Sequence, residues 1–139
     1  SMMFVTRAAA PHLAKNNDSS IVNLASLAGR KGGHPGSLAY STSKGAILTF
    51  TRALSAELGP QGTRVNAVAP GAIETQMVSS LKKEINSLSK YNARMKEAHP
   101  IGRIGLPQEV ANLICFLASD EASFMTGTTV PIDGGRSIR

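Results

Sequence analysis

Three residues in the first third of the chain have the types and spacing to move a proton at an oxygen atom: Ser26, Tyr40 and Lys44. Tyr40 and Lys44 stand four positions apart, which on a helix stacks both side chains on one face. An ammonium held beside a phenol favours the phenolate, and so draws a group that titrates near about 10 toward working pH. Such a tyrosine can serve as a general acid/base. The Ser26 hydroxyl, set in a loop that folds back over the helix start, can hydrogen-bond the oxygen on which Tyr40 acts. The set suits the interconversion of an alcohol and a carbonyl. None of the three can carry a hydride, so a cofactor must. By spacing alone, a surface tyrosine beside a solvated lysine is the commoner arrangement, and the pair gains weight only from what surrounds it.

The surrounding elements place these residues well. Ser20 to Ala25 is a short apolar run with β-branched residues, suited to a buried parallel strand, and Ser26 follows at its carboxyl end, where ligands gather in open α/β sheets. Ser37 to Leu58 is predicted as a long helix, with Ile47, Phe50, Leu54 and Leu58 at helical spacing and Gly59-Pro60 as its stop. Tyr40 and Lys44 fall in its first turns. Between strand and helix lies Gly29-Arg30-Lys31-Gly32-Gly33-His34-Pro35-Gly36. Its glycines have neither the dinucleotide-fingerprint nor the P-loop spacing, so it is expected to be a flexible substrate-side loop with His34 exposed. Arg64 to Ala69 reads as a second strand, ended by Pro70-Gly71. Ser1 to Lys15 reads as a helix with Met2, Val5, Ala9 and Leu13 on one side, kinked or ended at Pro11. Pro107 opens a helix to Ala118 with Val110, Ile114 and Leu117 inward and Cys115 a small buried hydrophobe. Thr128 to Ile132 reads as a last strand.

Composition bounds the alternatives. The chain has 139 residues, 42% hydrophobic and 17% charged, which fits one ordinary folded domain. A net charge of +6 raises the question of nucleic acid, but the basic residues are scattered and aromatics are only 4%, so neither a nucleic-acid nor a base-stacking role is expected. No apolar run has membrane-spanning length, no membrane partner is expected, and the single cysteine makes a cytoplasmic setting the default. Three scattered histidines and one cysteine lack metal-ligand spacing, so no metal site is expected.

Ser26, then Tyr40-x-x-x-Lys44, then Asn66-Ala67-Val68-Ala69-Pro70-Gly71-Ala72-Ile73-Glu74-Thr75, then Asp133-Gly134-Gly135 resemble, in that order, the short-chain dehydrogenase/reductase family. The likeness covers nearly the whole chain, but only the second half of that family's domain. It implies a Rossmann-type doubly wound parallel sheet, present as its C-terminal half of about three strands with flanking helices. It also implies NAD or NADP as cofactor and a small alcohol or carbonyl as substrate. Ser26, Tyr40 and Lys44 are then catalytic, with Tyr40 and Lys44 also touching the cofactor. The segment from Pro70 and Gly71 lies along the nicotinamide, with the Ile73 backbone on the carboxamide and the Thr75 hydroxyl on the cofactor. Lys44 bonds the cofactor ribose.

Residues 76–105 are expected to form a helical substrate lid within the same domain, with Met77, Leu81, Ile85, Leu88 and Met95 as its apolar stripe. The glycine-rich first turn of the family is not seen, and a parallel sheet cut along one side exposes an edge. The chain is therefore expected to be a fragment of a longer one or to assemble with other copies. The alternative to an NAD(P)-dependent oxidoreductase is an inactive half-domain that self-associates or is completed by another polypeptide.

Overall fold

The computed structural model describes residues 2–16, 18–75 and 88–138. In chain order these form α1 (Met2–Leu13), β1 (Ser19–Leu24), a short α2 (Ala28–Lys31), α3 (Leu38–Leu58), β2 (Thr63–Pro70), α4 (Leu88–Ala98), α5 (Pro107–Ala118) and β3 (Thr129–Ile132). The strands make one parallel sheet in the order β1-β2-β3.

β2 is the central strand, and every residue from Thr63 to Ala69 is buried. Both faces of the strand are covered, so Thr63, Arg64 and Asn66 are buried along with its apolar residues. Its alternate side chains nevertheless divide between two layers. Val65 packs with Leu54 and Leu58, and Ala67 with Leu48 and Ala25, on the α3 side. Val68 packs with Val110 and Leu117 of α5. Helices thus cover opposite faces of a parallel sheet, the doubly wound arrangement.

Polar side chains tie the layers together. The Asn23 amide donates to Thr51 Oγ1 at 2.9 Å inside the β1–α3 contact. Asn66 donates to the Met125 carbonyl at 2.7 Å and accepts from the Thr128 N–H at 3.2 Å, fixing the approach to β3. Arg64 is buried and donates to the carbonyls of Leu117 and Ser119, each at 2.9 Å, at the C-terminus of α5. Helix ends leave carbonyls without partners, and a cation there also meets the negative end of the helix dipole.

Several expectations are corrected. Cys115 is exposed, because α5 buries Val110 and Leu117 and Cys115 lies on the far side of that stripe. The helix does not stop at Pro11 but continues to Leu13. On α1, Val5 is 69% exposed and Thr6 is the buried residue. α3 buries Leu48 and Thr51 with Leu54 and Leu58, while Ile47 and Phe50 are only half-buried beside them. The loop after Ser26 contains a turn of helix, α2, which includes Gly29 and precedes Gly32, Gly33 and Gly36. Of the expected lid, residues 76–87 lie outside the described residues, and with them Met77, Leu81 and Ile85; α4 is helical as expected.

Candidate active site

The β1–β2 hydrogen bonds run past the end of β1. The Ala25 N–H donates to the Val68 carbonyl and the Leu27 N–H to the Pro70 carbonyl, each at 2.9 Å. Ser26, between these two, is therefore held beside the end of β2. Its Oγ accepts the Ala28 N–H at 3.2 Å and its carbonyl accepts the Gly29 N–H at 3.0 Å, which starts α2.

α2 then meets α3 backbone to backbone. A Cβ on Gly29 would stand 2.6 Å from the Lys44 carbonyl carbon, and one on Gly45 would stand 3.4 Å from the Gly29 oxygen. Only a residue without a side chain permits this approach, and it brings the Ser26 loop onto α3 at the level of Lys44. Lys44 completes the join: its Nζ donates to the Leu24 carbonyl at 3.0 Å. The same ammonium lies 5.8 Å from the centre of the Tyr40 ring. Tyr40 is 45% exposed, and its phenol oxygen makes no hydrogen bond to a described residue. Lys44 thus links the Tyr40 turn of α3 to the carboxyl end of β1, two residues before Ser26, and the phenol is open to a ligand.

A cleft of about 480 Å³ opens at the carboxyl ends of β1 and β2. Ser26, Pro70 and Gly71 form part of its wall, together with Lys31, His34 and Arg136. Tyr40 and Lys44 are not among the lining residues. Past Gly71 the chain makes a parallel bridge between Ile73 and Gly105. The bonds run from the Gly105 N–H to the Ala72 carbonyl and from the Glu74 N–H to the Gly105 carbonyl, each at 2.9 Å. In a parallel pairing of this kind, the N–H and C=O of Ile73 itself point away from Gly105. The Ile73 side chain packs on the Val68 cluster, and Thr75 is exposed.

The C-terminal turn buttresses the cleft. The Asp133 carboxylate accepts the N–H groups of Gly135 at 3.1 Å and Ser137 at 2.7 Å. Burial pushes its pKa up, but the hydrogen bonds from Ser137 and Gly135 and the nearby His99 outweigh this and hold it below the usual value. Gly71 packs against this turn: a Cβ there would lie 2.9 Å from Asp133 Cα. His99 is buried, bonds the Met95 carbonyl through Nδ1 at 2.7 Å, and lies under Gly134. At the start of α5, Glu109 accepts the Leu106 N–H and pairs with Arg103, each at 2.7 Å. The Arg103 hydrogen bond, then the Leu106 N–H, lower the Glu109 pKa to about 2.

Arg136 and His99 were not singled out by sequence, and Lys31 only as part of the glycine-rich substrate-side loop. Arg136 follows the Asp133-Gly134-Gly135 motif directly, which is the one signal that pointed to its neighbourhood. His99 carried none.

A doubly wound parallel sheet, with polar residues gathered where its strands end, defines a dinucleotide-binding type of α/β fold. The family model described as enoyl-(acyl carrier protein) reductase matches residues 1–137, and the chain belongs to the short-chain dehydrogenase/reductase family. The chain is 43% identical, over 136 residues, to the 3-oxoacyl-[acyl-carrier-protein] reductase FabG of Thermotoga maritima, covering 96% of this chain and 52% of that protein. The ligand-free aldohexose dehydrogenase of Thermoplasma acidophilum superposes with a TM-score of 0.90 at 38% identity, over 99% of this chain and 55% of that one. A Brucella melitensis 3-oxoacyl-[acyl-carrier protein] reductase with bound NAD gives 0.80 at 36% identity, over 97% and 47%. The chain spans about half the length of the curated relatives it matches.

Proposed function

We propose that this chain carries the catalytic residues of an NAD- or NADP-dependent oxidoreductase that interconverts a secondary alcohol and a ketone. The observation that carries the reading is the join of the Ser26 loop to α3, through the Gly29–Lys44 backbone contact and the Lys44–Leu24 hydrogen bond. It brings a hydroxyl, a phenol and an ammonium to the carboxyl end of one strand.

In this reading Tyr40 exchanges a proton with the substrate oxygen, and Ser26 holds that oxygen by a hydrogen bond. Lys44 stands beside the phenol ring and bonds the cofactor ribose. Pro70 and Gly71 form the wall against which the nicotinamide rests. The Ile73 backbone groups, turned away from Gly105, are suited to a carboxamide, and the exposed Thr75 hydroxyl to the cofactor. These residues fit a nicotinamide: they combine an open wall with a proton-transferring group and no redox-active side chain. When bound, the cofactor supplies the hydride that none of them can carry. α4 serves as part of a substrate lid, and residues 1–139 form the C-terminal part of a single catalytic domain. The relative with NAD bound supports the cofactor class.

Homo-oligomerisation belongs to the proposal, supported by the exposed Met3, Phe4 and Val5 on α1 and the fully exposed Phe124. So does a cytoplasmic setting, where the exposed Cys115 thiol is kept reduced. One observation favours the second reading, an inactive chain that self-associates or is completed by another polypeptide: among the described residues β1 pairs on one side only.

A fluorescence titration of the purified 139-residue chain with NADH and NADPH, followed by a carbonyl-reduction assay, separates the two. Saturable binding with turnover supports the enzyme. A folded sample that binds neither cofactor supports the second reading for this chain.

A further inference from the structure

The cleft at the strand ends is electrically one-sided. Lys31, His34 and Arg136 line it, and no carboxylate is among the described lining residues. Lys31 Nζ donates to the Arg136 carbonyl at 3.4 Å, so the end of α2 and the C-terminal turn meet on one rim with two cationic side chains. The Arg136 guanidinium makes no hydrogen bond or ion pair with a described residue, although Arg136 is half-buried. The acid nearest to it in sequence makes no ion pair with it: the Asp133 oxygens accept the Gly135 and Ser137 N–H groups instead.

Resting on the oxidoreductase reading, we propose that the substrate is a small keto acid or hydroxy acid, whose carboxylate is held by Arg136 while its carbonyl or hydroxyl carbon lies at Ser26. A guanidinium presents a planar fork that matches a carboxylate with two parallel hydrogen bonds. A neutral ketone leaves that fork to water alone. The volume of about 480 Å³ is shared with the nicotinamide that rests on Pro70 and Gly71, and the remainder favours a short molecule. The anion is set apart from the reacting oxygen, so Arg136 positions the substrate and Tyr40 and Ser26 act on it. No step beyond the oxidoreductase reaction is added: the carboxylate is neither made nor broken.

The test uses the full natural chain that contains these residues, loaded with NADH or NADPH, and two probes with the same ketone: acetoacetate and its neutral methyl ester. Calorimetric titration of acetoacetate reads the anion site, and reduction of the methyl ester reads the chemistry. The expected result is binding of acetoacetate that weakens about tenfold or more in Arg136→Gln. The charge-retaining Arg136→Lys should be intermediate, and in both variants the loss for acetoacetate should exceed any loss in reduction of the ester. Failure of acetoacetate to bind, or equal binding by Arg136→Gln, overturns the anion site while ester reduction leaves the oxidoreductase reading intact. Binding lost in Arg136→Gln, with neither probe ever reduced, keeps the anion site and overturns the oxidoreductase reading.

Discussion

Lys44 reaches across from α3 and donates its Nζ proton to the carbonyl oxygen of Leu24 at 3.0 Å, two residues before Ser26. One ammonium thus fastens the helix start to the strand end and stands beside Tyr40. Replacing it by methionine keeps the side-chain length and removes both interactions. Lys44→Met is expected to lower turnover by about 10²–10⁴-fold, the usual scale of acid/base assistance. Lys44→Arg, which keeps a charge in a wider head group, should recover part of it. Steady-state kinetics of nicotinamide oxidation check both, and turnover of Lys44→Met equal to the parent contradicts the role.

Gly29 sets how closely the Ser26 loop can sit on that helix. A methyl group at this position would lie 2.6 Å from the Lys44 carbonyl carbon and 2.7 Å from the Gly45 nitrogen, and backbone cannot give way as a side chain can. Gly29→Ala is expected to destabilise the fold by about 1–3 kcal/mol, as overpacking does. It should also lower turnover by about a hundredfold, because the loop is displaced from Tyr40 and Lys44. Urea unfolding and kinetics on the same sample measure the two effects.

Arg64 provides a contrast, because its work is at the opposite end of the sheet from the site. It is 8% exposed and holds the last carbonyls of α5. Arg64→Met strands those carbonyls and is expected to cost about 2–3 kcal/mol. Turnover per folded molecule should stay near the parent value. Thermal denaturation beside an active-site titration checks this, and a loss of turnover without a loss of stability contradicts it.

Acid should loosen the α4–α5 connection and the C-terminal turn. The folded pKa of Glu109 is about 2 against an ordinary 4.5, and that of Asp133 is also depressed, below 3.8. For a carboxylate lowered on folding, the stabilisation is present above the unfolded pKa and is lost as pH falls through the folded one. Stability should therefore be level down to about pH 5 and decline below it. Glu109→Gln should make the acid limb shallower, by a small amount because this pair is exposed and screened by salt. Asp133→Asn should flatten it further. Melting temperature against pH shows the effect, and identical acid limbs in parent and both variants contradict it.

The sequence reading placed the larger elements because their cause is local. β2 carries Val65, Ala67, Val68 and Ala69 between a turn and Pro70-Gly71, and α3 repeats its apolar residues at helical spacing. It also placed Ser26 at the end of a strand and Tyr40 with Lys44 on one helix face. What it missed depends on distant partners. Arg64 looks like a solvent-facing residue until the end of α5, more than fifty positions later, arrives beside it. Periodicity gives the inner face of α5 correctly as Val110, Ile114 and Leu117, but apolar character also made Cys115 look buried, and it falls outside with Phe116. α2 is too short for a period to show inside its glycine-rich setting. Arg136 becomes a cleft residue only because the C-terminal turn folds back beside Lys31.

The central claim is that Tyr40 moves the proton. Its ring is 45% exposed and its oxygen bonds no described residue, so Tyr40→Phe should leave stability within about 0.5 kcal/mol of the parent. The decisive measurement is turnover by Tyr40→Phe in the full natural chain, with cofactor binding confirmed by NADH or NADPH fluorescence. The account predicts retained cofactor binding and turnover reduced about a thousandfold or more. Near-normal turnover by a folded, cofactor-binding Tyr40→Phe would contradict it.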